Sequence, residues 1–155
     1  MPYLGSKSFR SINQNLFLSL YVAPRKFKLL MELEKGALGE TGGISYNLSD
    51  AKDNTFANWD CSIIGPPGSA LANRNVQLTM YCGENYPSEP PQVSFISKVL
   101  LPSVNKESGD VDVNAIMPKW DGGLKHGIED ILIMLRREME TQSNNYRQPE
   151  EDEEF

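Results

Sequence analysis

The stretch Asn75 to Cys82 constrains this chain more than any other. Val76, Leu78, Met80 and Cys82 alternate with Gln77, Thr79 and Tyr81. A period of two is what a half-buried β-strand requires, and no helix can keep it on one face. Three further runs follow the same rule. Ile44, Tyr46 and Leu48 alternate with polar residues. Asn58 to Ile64 puts Trp59, Cys61 and Ile63 on one face and Asp60, Ser62 and Ile64 on the other. Gln92 to Ser97 supplies the fourth. Gly42-Gly43, Gly65-Pro66-Pro67-Gly68, and Gly83 with Pro87 separate the runs, and these are turn residues. Strands joined this closely form an antiparallel meander with one solvated face.

Two helical patterns bracket the strands. Pro24 suits a first helical position, where its missing N–H is no loss. A helix is predicted from about Pro24 to Lys35, with Gly36 ending it. At about 100° per residue, Leu29, Leu30 and Leu33 make its core stripe. Phe27 and Met31 lie off that stripe as i and i+4 neighbours. They either pack under a loop and widen the apolar face, or form a ridge for a partner. A second helix begins near Ile128, with Ile128, Ile131, Leu132, Leu135 and Met139 buried and Glu129, Glu138 and Glu140 outward. Arg136 and Arg137 are expected in its last turns, complementing the helix dipole. Residues 98–127 carry little periodicity, and a loop this long in a compact domain is usually functional. The whole reads as α+β, with helices packing on one face of the sheet.

Composition narrows the function classes. At 155 residues the chain holds one domain with a proper core. Net charge is −6 and residues 150–154 are all acidic, so a nucleic-acid partner, which needs a basic face, is not expected. No apolar run approaches the roughly 18 residues of a membrane span, and no membrane role is expected. Cys61 and Cys82, both inside strand-like runs, are read as small core residues of a reduced intracellular protein. Residues 1–21 contain Lys7, Arg10 and several serines without an acid. They share these traits with a transit peptide, but the plainer reading is a flexible extension. The domain is placed at residues 22–144 and an acidic disordered tail at 145–155.

Metal and cofactor readings fare poorly. Asp110-x-Asp112-x-Asn114 begins like a calcium loop, with Asp121 at the twelfth position. Ala115 stands where the sharp turn needs glycine, and Pro118 interrupts. His126 is the one histidine and is read as an ordinary residue near a helix start. No metal, no cofactor and no nucleotide is expected.

Several motifs occur together in a definite order. They are Gly65-Pro66 after the second strand, Tyr86-Pro87-x-x-Pro90-Pro91-x-Val93-x-Phe95, the irregular segment from Leu101 to Asp112, and Trp120 after it. This series resembles the ubiquitin-conjugating fold over residues 24–141. It is most similar to the ubiquitin-conjugating enzyme variants, in the subgroup that serves lysine-63-linked chains. Pro24-Arg25-Lys26-Phe27, Ile63-Ile64-Gly65-Pro66-Pro67 and Gly109-Asp110-Val111-Asp112 all look like that subgroup. The resemblance implies a fold truncated at its C-terminus, without the last two helices of the active members.

The resemblance also implies that the chemistry is gone. Active members carry a His-Pro-Asn triplet, here Leu101-Pro102-Ser103, and a catalytic cysteine, here Asp112. Thioester transfer needs a thiolate as nucleophile and leaving group, and no catalytic residue is expected in this chain. The implied role is the non-catalytic subunit of a heterodimer with an active ubiquitin-conjugating enzyme. Its interface would include Pro24, Arg25, Phe27 and Met31, with Phe27 entering a pocket on the partner. A second ubiquitin would be held weakly and non-covalently on the sheet through Ser45, Asp60 and Asn75. Asp60 stands where the subgroup usually has threonine, and Asn75 where it usually has isoleucine, so acceptor binding weaker than is usual for the subgroup is expected. The alternative is a stand-alone ubiquitin- and peptide-binding module in protein sorting. DNA-damage tolerance and inflammatory-type signalling are both associated with the subgroup, and a cytoplasmic and nuclear location is expected.

Overall fold

The structure, a computed structural model, describes residues 24–39, 42–122 and 125–155. The expected extension at 1–21 lies outside the described residues. Helix α1 spans Arg25–Gly36. Strands β1 (Ile44–Leu48), β2 (Asn58–Ile64), β3 (Asn75–Tyr81) and β4 (Gln92–Phe95) follow. A one-turn helix α2 (Val113–Ile116) and helix α3 (Ile128–Gln142) complete the main elements.

The four strands form one antiparallel sheet in the order β1-β2-β3-β4. Registers such as Tyr46↔Cys61↔Leu78↔Phe95 carry the alternation across the whole sheet. Ile44, Tyr46, Trp59, Cys61, Ile63, Val76, Leu78, Met80, Val93 and Phe95 are all buried on the inner face. Helix α3 lays Ile128, Ile131, Leu132, Leu135 and Met139 into the same core, all at 0% exposure. The predicted α+β meander and the α3 stripe are both present. β4 stops at Phe95, short of Ser97, because the N–H groups of Ile96 and Ser97 both turn to Gln77 O (2.9 and 3.1 Å) and the ladder ends there.

Four details differ from expectation. Pro24 is the residue before α1, in an extended conformation, and Gly36 is the last helical residue rather than a left-handed cap. Gly36 is needed for space, since a Cβ there would lie 2.6 Å from Tyr46 O. The buried side chains of α1 are Lys28, Leu29 and Glu32, while Leu30, expected in the core, is 45% exposed. The inward face is therefore rotated by roughly 100° from the one hydrophobicity indicated. Arg136 does not sit in the last turn, because α3 runs on to Gln142; its Nε donates to Ile64 O (3.0 Å) instead. Of the three outward glutamates, Glu129 pairs with Lys35 (2.8 Å) and Glu138 accepts from the N–H of Ser103 (2.9 Å).

The fourth difference is the tail. Residues 145–155, expected as a solvated disordered segment, fold back along the sheet edge beyond β4. The side-chain amide of Gln148 donates to Leu100 O (2.8 Å) and accepts from Leu100 N (2.9 Å). Arg74 donates to Pro149 O (2.6 Å). Lys98 N donates to Glu153 O, and Phe155 N to Ile96 O, around an antiparallel bridge between Ser97 and Glu154. Phe155 packs against the core. Charge and missing apolar period argued for disorder, but backbone pairing carries no side-chain signature and a single aromatic makes no period. Gln148→Ala leaves both backbone groups of half-buried Leu100 unpaired and lowers unfolding free energy by about 1–3 kcal/mol, whereas Glu151→Ala at an exposed site stays within about 0.5 kcal/mol. Denaturant unfolding of the two variants checks this, and equal small effects would show that the tail does not hold the edge.

Candidate functional site

Three surfaces carry the residues singled out above. The first is the outward face of α1. Phe27 (46% exposed), Leu30 (45%) and Met31 (44%) form a continuous apolar ridge. It faces solvent because the opposite face is pinned by polar groups. Arg25 donates from Nε to Gly83 O and from Nη2 to Cys82 O, both at 2.9 Å. The buried Glu32 carboxylate accepts from the Tyr86 hydroxyl and from the N–H of Ile128 at 2.6 Å. A Cβ at residue 127 would lie 1.9 Å from Glu32 Oε1, so Gly127 is what lets the carboxylate approach. Burial pushes the Glu32 carboxyl above its ordinary range, opposed by its hydrogen bonds to Tyr86 and Ile128 and by nearby Lys28. Leu30 and Glu32 are the residues that sequence reasoning missed here. A buried glutamate within an apolar stripe shifts the stripe's phase without leaving a hydropathy signal.

The second surface is the irregular loop after β4. Leu101 and Ser103 are buried. Asp112 is brought beside Ser103, its N–H donating to Ser103 O at 2.8 Å. Its side chain is exposed and makes no capping bond to α2. Ser103 Oγ is buried and finds no hydrogen-bond partner among the described residues. A groove of about 530 Å³ beside them is lined in part by Glu89, Pro91, Val93, Asp110, Asp112 and Asn114. Both cysteines are free, buried and away from this loop. Burial pushes the Cys61 thiol up to about 12 and raises Cys82 as well, so both stay protonated at neutral pH. A protonated, enclosed thiol is a poor nucleophile.

The third surface is the solvated face of the sheet. Ser45, Asp60 and Asn75 share one shallow depression of about 310 Å³ with Asn47, Ser62 and Gln77. Ser45 Oγ lies 2.5 Å from Ser62 Oγ, and Asp60 accepts from Ser49 Oγ at 2.8 Å. Val76 is buried at 1% exposure, so Asn75, and not Val76, is the surface position at this end of β3.

The remaining candidates have structural roles. His126 Nδ1 accepts from the N–H of Asp121 at 2.9 Å, and its ring lies 5.7 Å from that of Trp120. Trp120 Nε1 donates to Pro87 O at 2.8 Å, which ties the loop to the proline-rich turn. Among the described residues, no three His, Cys, Asp or Glu side chains gather to hold a metal ion. No described helix is long and apolar enough to cross a membrane.

A helix, a four-stranded meander, a long loop tied by tryptophan to a proline-rich turn, and a helix across the inner face make up the ubiquitin-conjugating fold. The comparisons agree. The ubiquitin-conjugating enzyme family model matches residues 28–153. The ubiquitin-conjugating enzyme variant MMS2 of Saccharomyces cerevisiae is 44% identical over 135 residues, covering 85% of this chain and 97% of the relative. Ubiquitin-conjugating enzyme spm2 of Schizosaccharomyces pombe is 42% identical, covering 78% of this chain and 88% of the relative. Among solved structures, human ubiquitin-conjugating enzyme E2 G1 superposes with a TM-score of 0.67 at 25% identity, over 78% of this chain and 99% of that one. The chain belongs to the ubiquitin-conjugating enzyme family, and within it to the ubiquitin-conjugating enzyme variants.

Glu32 makes a pH signature. Its folded pKa is raised above the ordinary 4.5, so its contribution to stability is full below that value and is lost as pH rises through the folded pKa. Thermal melts of the native chain and of Glu32→Gln over about pH 4 to 8 should differ progressively, with the native chain losing ground as pH rises. A constant difference would show that Glu32 ionises in the fold as it does in the open chain.

Proposed function

We propose that this chain is the non-catalytic subunit of a ubiquitin-conjugating heterodimer, orienting an acceptor ubiquitin for lysine-63-linked chain synthesis by the active partner. The observation that carries the reading is the exposed apolar ridge of α1, which a soluble subunit would ordinarily bury. Family membership supplies the context, and the variant relatives supply the expectation of an empty catalytic site. Asp112, in our reading, stands where active members have cysteine. An exposed carboxylate cannot form a thioester, and neither buried thiol can replace it. We read Leu101 and Ser103 as the degenerate counterparts of the active members' triplet. The protein would work in the cytoplasm and nucleus, where reduced thiols such as Cys61 and Cys82 persist.

In this reading, Phe27, Leu30 and Met31 meet the partner, with Pro24 at the edge of the contact. Acceptor ubiquitin lies on the sheet across Ser45, Asp60 and Asn75. Rate enhancement then comes from proximity and orientation alone, and linkage choice from which lysine reaches the thioester. A reconstituted mixture of ubiquitin, activating enzyme and the active lysine-63 conjugating enzyme, with and without this chain, tests it. Chains of one linkage should appear only with both proteins. Phe27→Ala should weaken the heterodimer by about 2–4 kcal/mol, which is roughly 30- to 1,000-fold in Kd. The double variant Cys61→Ala, Cys82→Ala should still support chain formation. No stimulation, together with ubiquitin binding by the isolated chain, would instead favour a stand-alone ubiquitin-binding module.

The acceptor face makes its own prediction. Asp60 and Asn75 place more polar groups where the subgroup usually has a threonine and an isoleucine, against an apolar ubiquitin patch. Restoring them with Asp60→Thr and Asn75→Ile should tighten ubiquitin binding by about tenfold, or ~1.4 kcal/mol. A titration followed by NMR checks this, and unchanged affinity would remove both residues from the acceptor surface.

A further inference from the structure

Helix α1 carries the ridge, yet it is held to the domain mostly by polar contacts. Leu29 is its one fully buried apolar side chain, and Leu33 is partly buried. The middle is held by Glu32, and the last turn by the Lys35–Glu129 pair. The first turn has less support. Pro24 precedes it without a side-chain cap, and no acidic residue lies in it, so its free N–H groups receive no local help. What fixes this turn is Arg25. Its guanidinium reaches two consecutive carbonyls, those of Cys82 and Gly83, which follow the end of β3 at Tyr81. Two charge-assisted bonds from one planar fork define an angle as well as a distance, and a lysine cannot reproduce that.

We propose that Arg25 is a positioning residue for partner docking: it clamps the first turn of α1 to the end of β3 so that Phe27, two residues on, points outward in a fixed direction. This inference rests on reading the ridge as the partner surface. The guanidinium faces the domain, so Arg25 acts through the placement of Phe27 and not by touching the partner. Without the clamp the first turn frays. The binding-competent geometry is then populated only part of the time, and apparent affinity falls by that fraction.

Hydrogen exchange on the free chain and titration with the active lysine-63 conjugating enzyme test this together. The proteins are the native chain, Arg25→Ala, Arg25→Lys, Phe27→Ala and the Arg25→Ala, Phe27→Ala double variant. Arg25→Ala should speed exchange of the Lys28 and Leu29 amides while leaving α3 protection unchanged, and weaken partner binding about tenfold. Arg25→Lys should recover part of both effects. The double variant should lose less affinity than the product of the two single losses, because placement no longer matters once Phe27 is truncated. Losses that multiply fully would mean that Arg25 meets the partner itself, and would overturn the inference. So would unchanged exchange in the first turn, or faster exchange with unchanged affinity, which would leave Arg25 a purely structural role. If Phe27→Ala alone binds normally, the ridge is not the partner surface; that reading fails, while the exchange data still judge the clamp by themselves.

Discussion

One buried carboxylate ties three separate parts of this chain together. Glu32 sits on α1, receives the hydroxyl of Tyr86 from the proline-rich turn, and receives the N–H of Ile128 from the first turn of α3. The amino end of a helix favours a negative partner, because its N–H groups are free and its dipole is positive there. Burial nevertheless disfavours the charge on balance, and the buried Lys28 nearby offsets only part of that. The direction of α1 follows from this contact. With Lys28, Leu29 and Glu32 turned inward, a step of about 100° per residue turns Phe27, Leu30 and Met31 outward. The apolar ridge is therefore the geometric consequence of a polar anchor. Substituting Gly127 with any side chain would drive a Cβ into the carboxylate and disturb both helices at once.

The sheet and α3 were legible in the sequence because each keeps its period through a stretch buried against one core. Trp59, Cys61 and Ile63, and then Val76, Leu78 and Met80, alternate without interruption, and their burial follows. The phase of α1 was not legible, since hydropathy places Leu30 inward and cannot see that Glu32 has partners 54 and 96 residues away. The tail was not legible either. Its attachment consists of backbone pairs, one glutamine amide and Phe155, none of which forms a pattern. Of the candidate site, Phe27 and Met31 were already off the core stripe by spacing alone, and Ser45, Asp60 and Asn75 came from family resemblance. The ridge's third member, Leu30, required the structure.

The irregular loop keeps its scaffold although, in our reading, it no longer does chemistry. Besides the Trp120 tie, its holding contacts include Gln148 at Leu100, Glu138 at Ser103, and Phe155 against Gly109, where an added Cβ would lie 2.6 Å from the ring. In the same reading, Ser103 marks a second departure from the active members. An oxyanion needs donors aimed at the place where charge develops, and the Ser103 hydroxyl is buried. The tail thus fastens this loop at Leu100 and at Gly109, and α3 holds it between them at Ser103.

A subunit that accelerates a reaction by orientation alone depends on stiffness more than on affinity. Misplacement of a reacting group by about 1 Å can cost roughly a hundredfold in rate, so the proposed role would need the angle between ridge and sheet to be firmly set. Apolar burial is strong but nearly indifferent to direction, and one buried leucine would let α1 roll about its axis. Hydrogen bonds fix direction, because they weaken steeply once donor and acceptor fall out of line. Two polar anchors on α1, at Arg25 and Glu32, supply that constraint at the start and middle of the helix. They join it to β3's end and to the start of α3, which also packs on the sheet. Under the function proposed above, the ridge and the Ser45–Asp60–Asn75 face would in this way be parts of one rigid frame, as catalysis by placement requires.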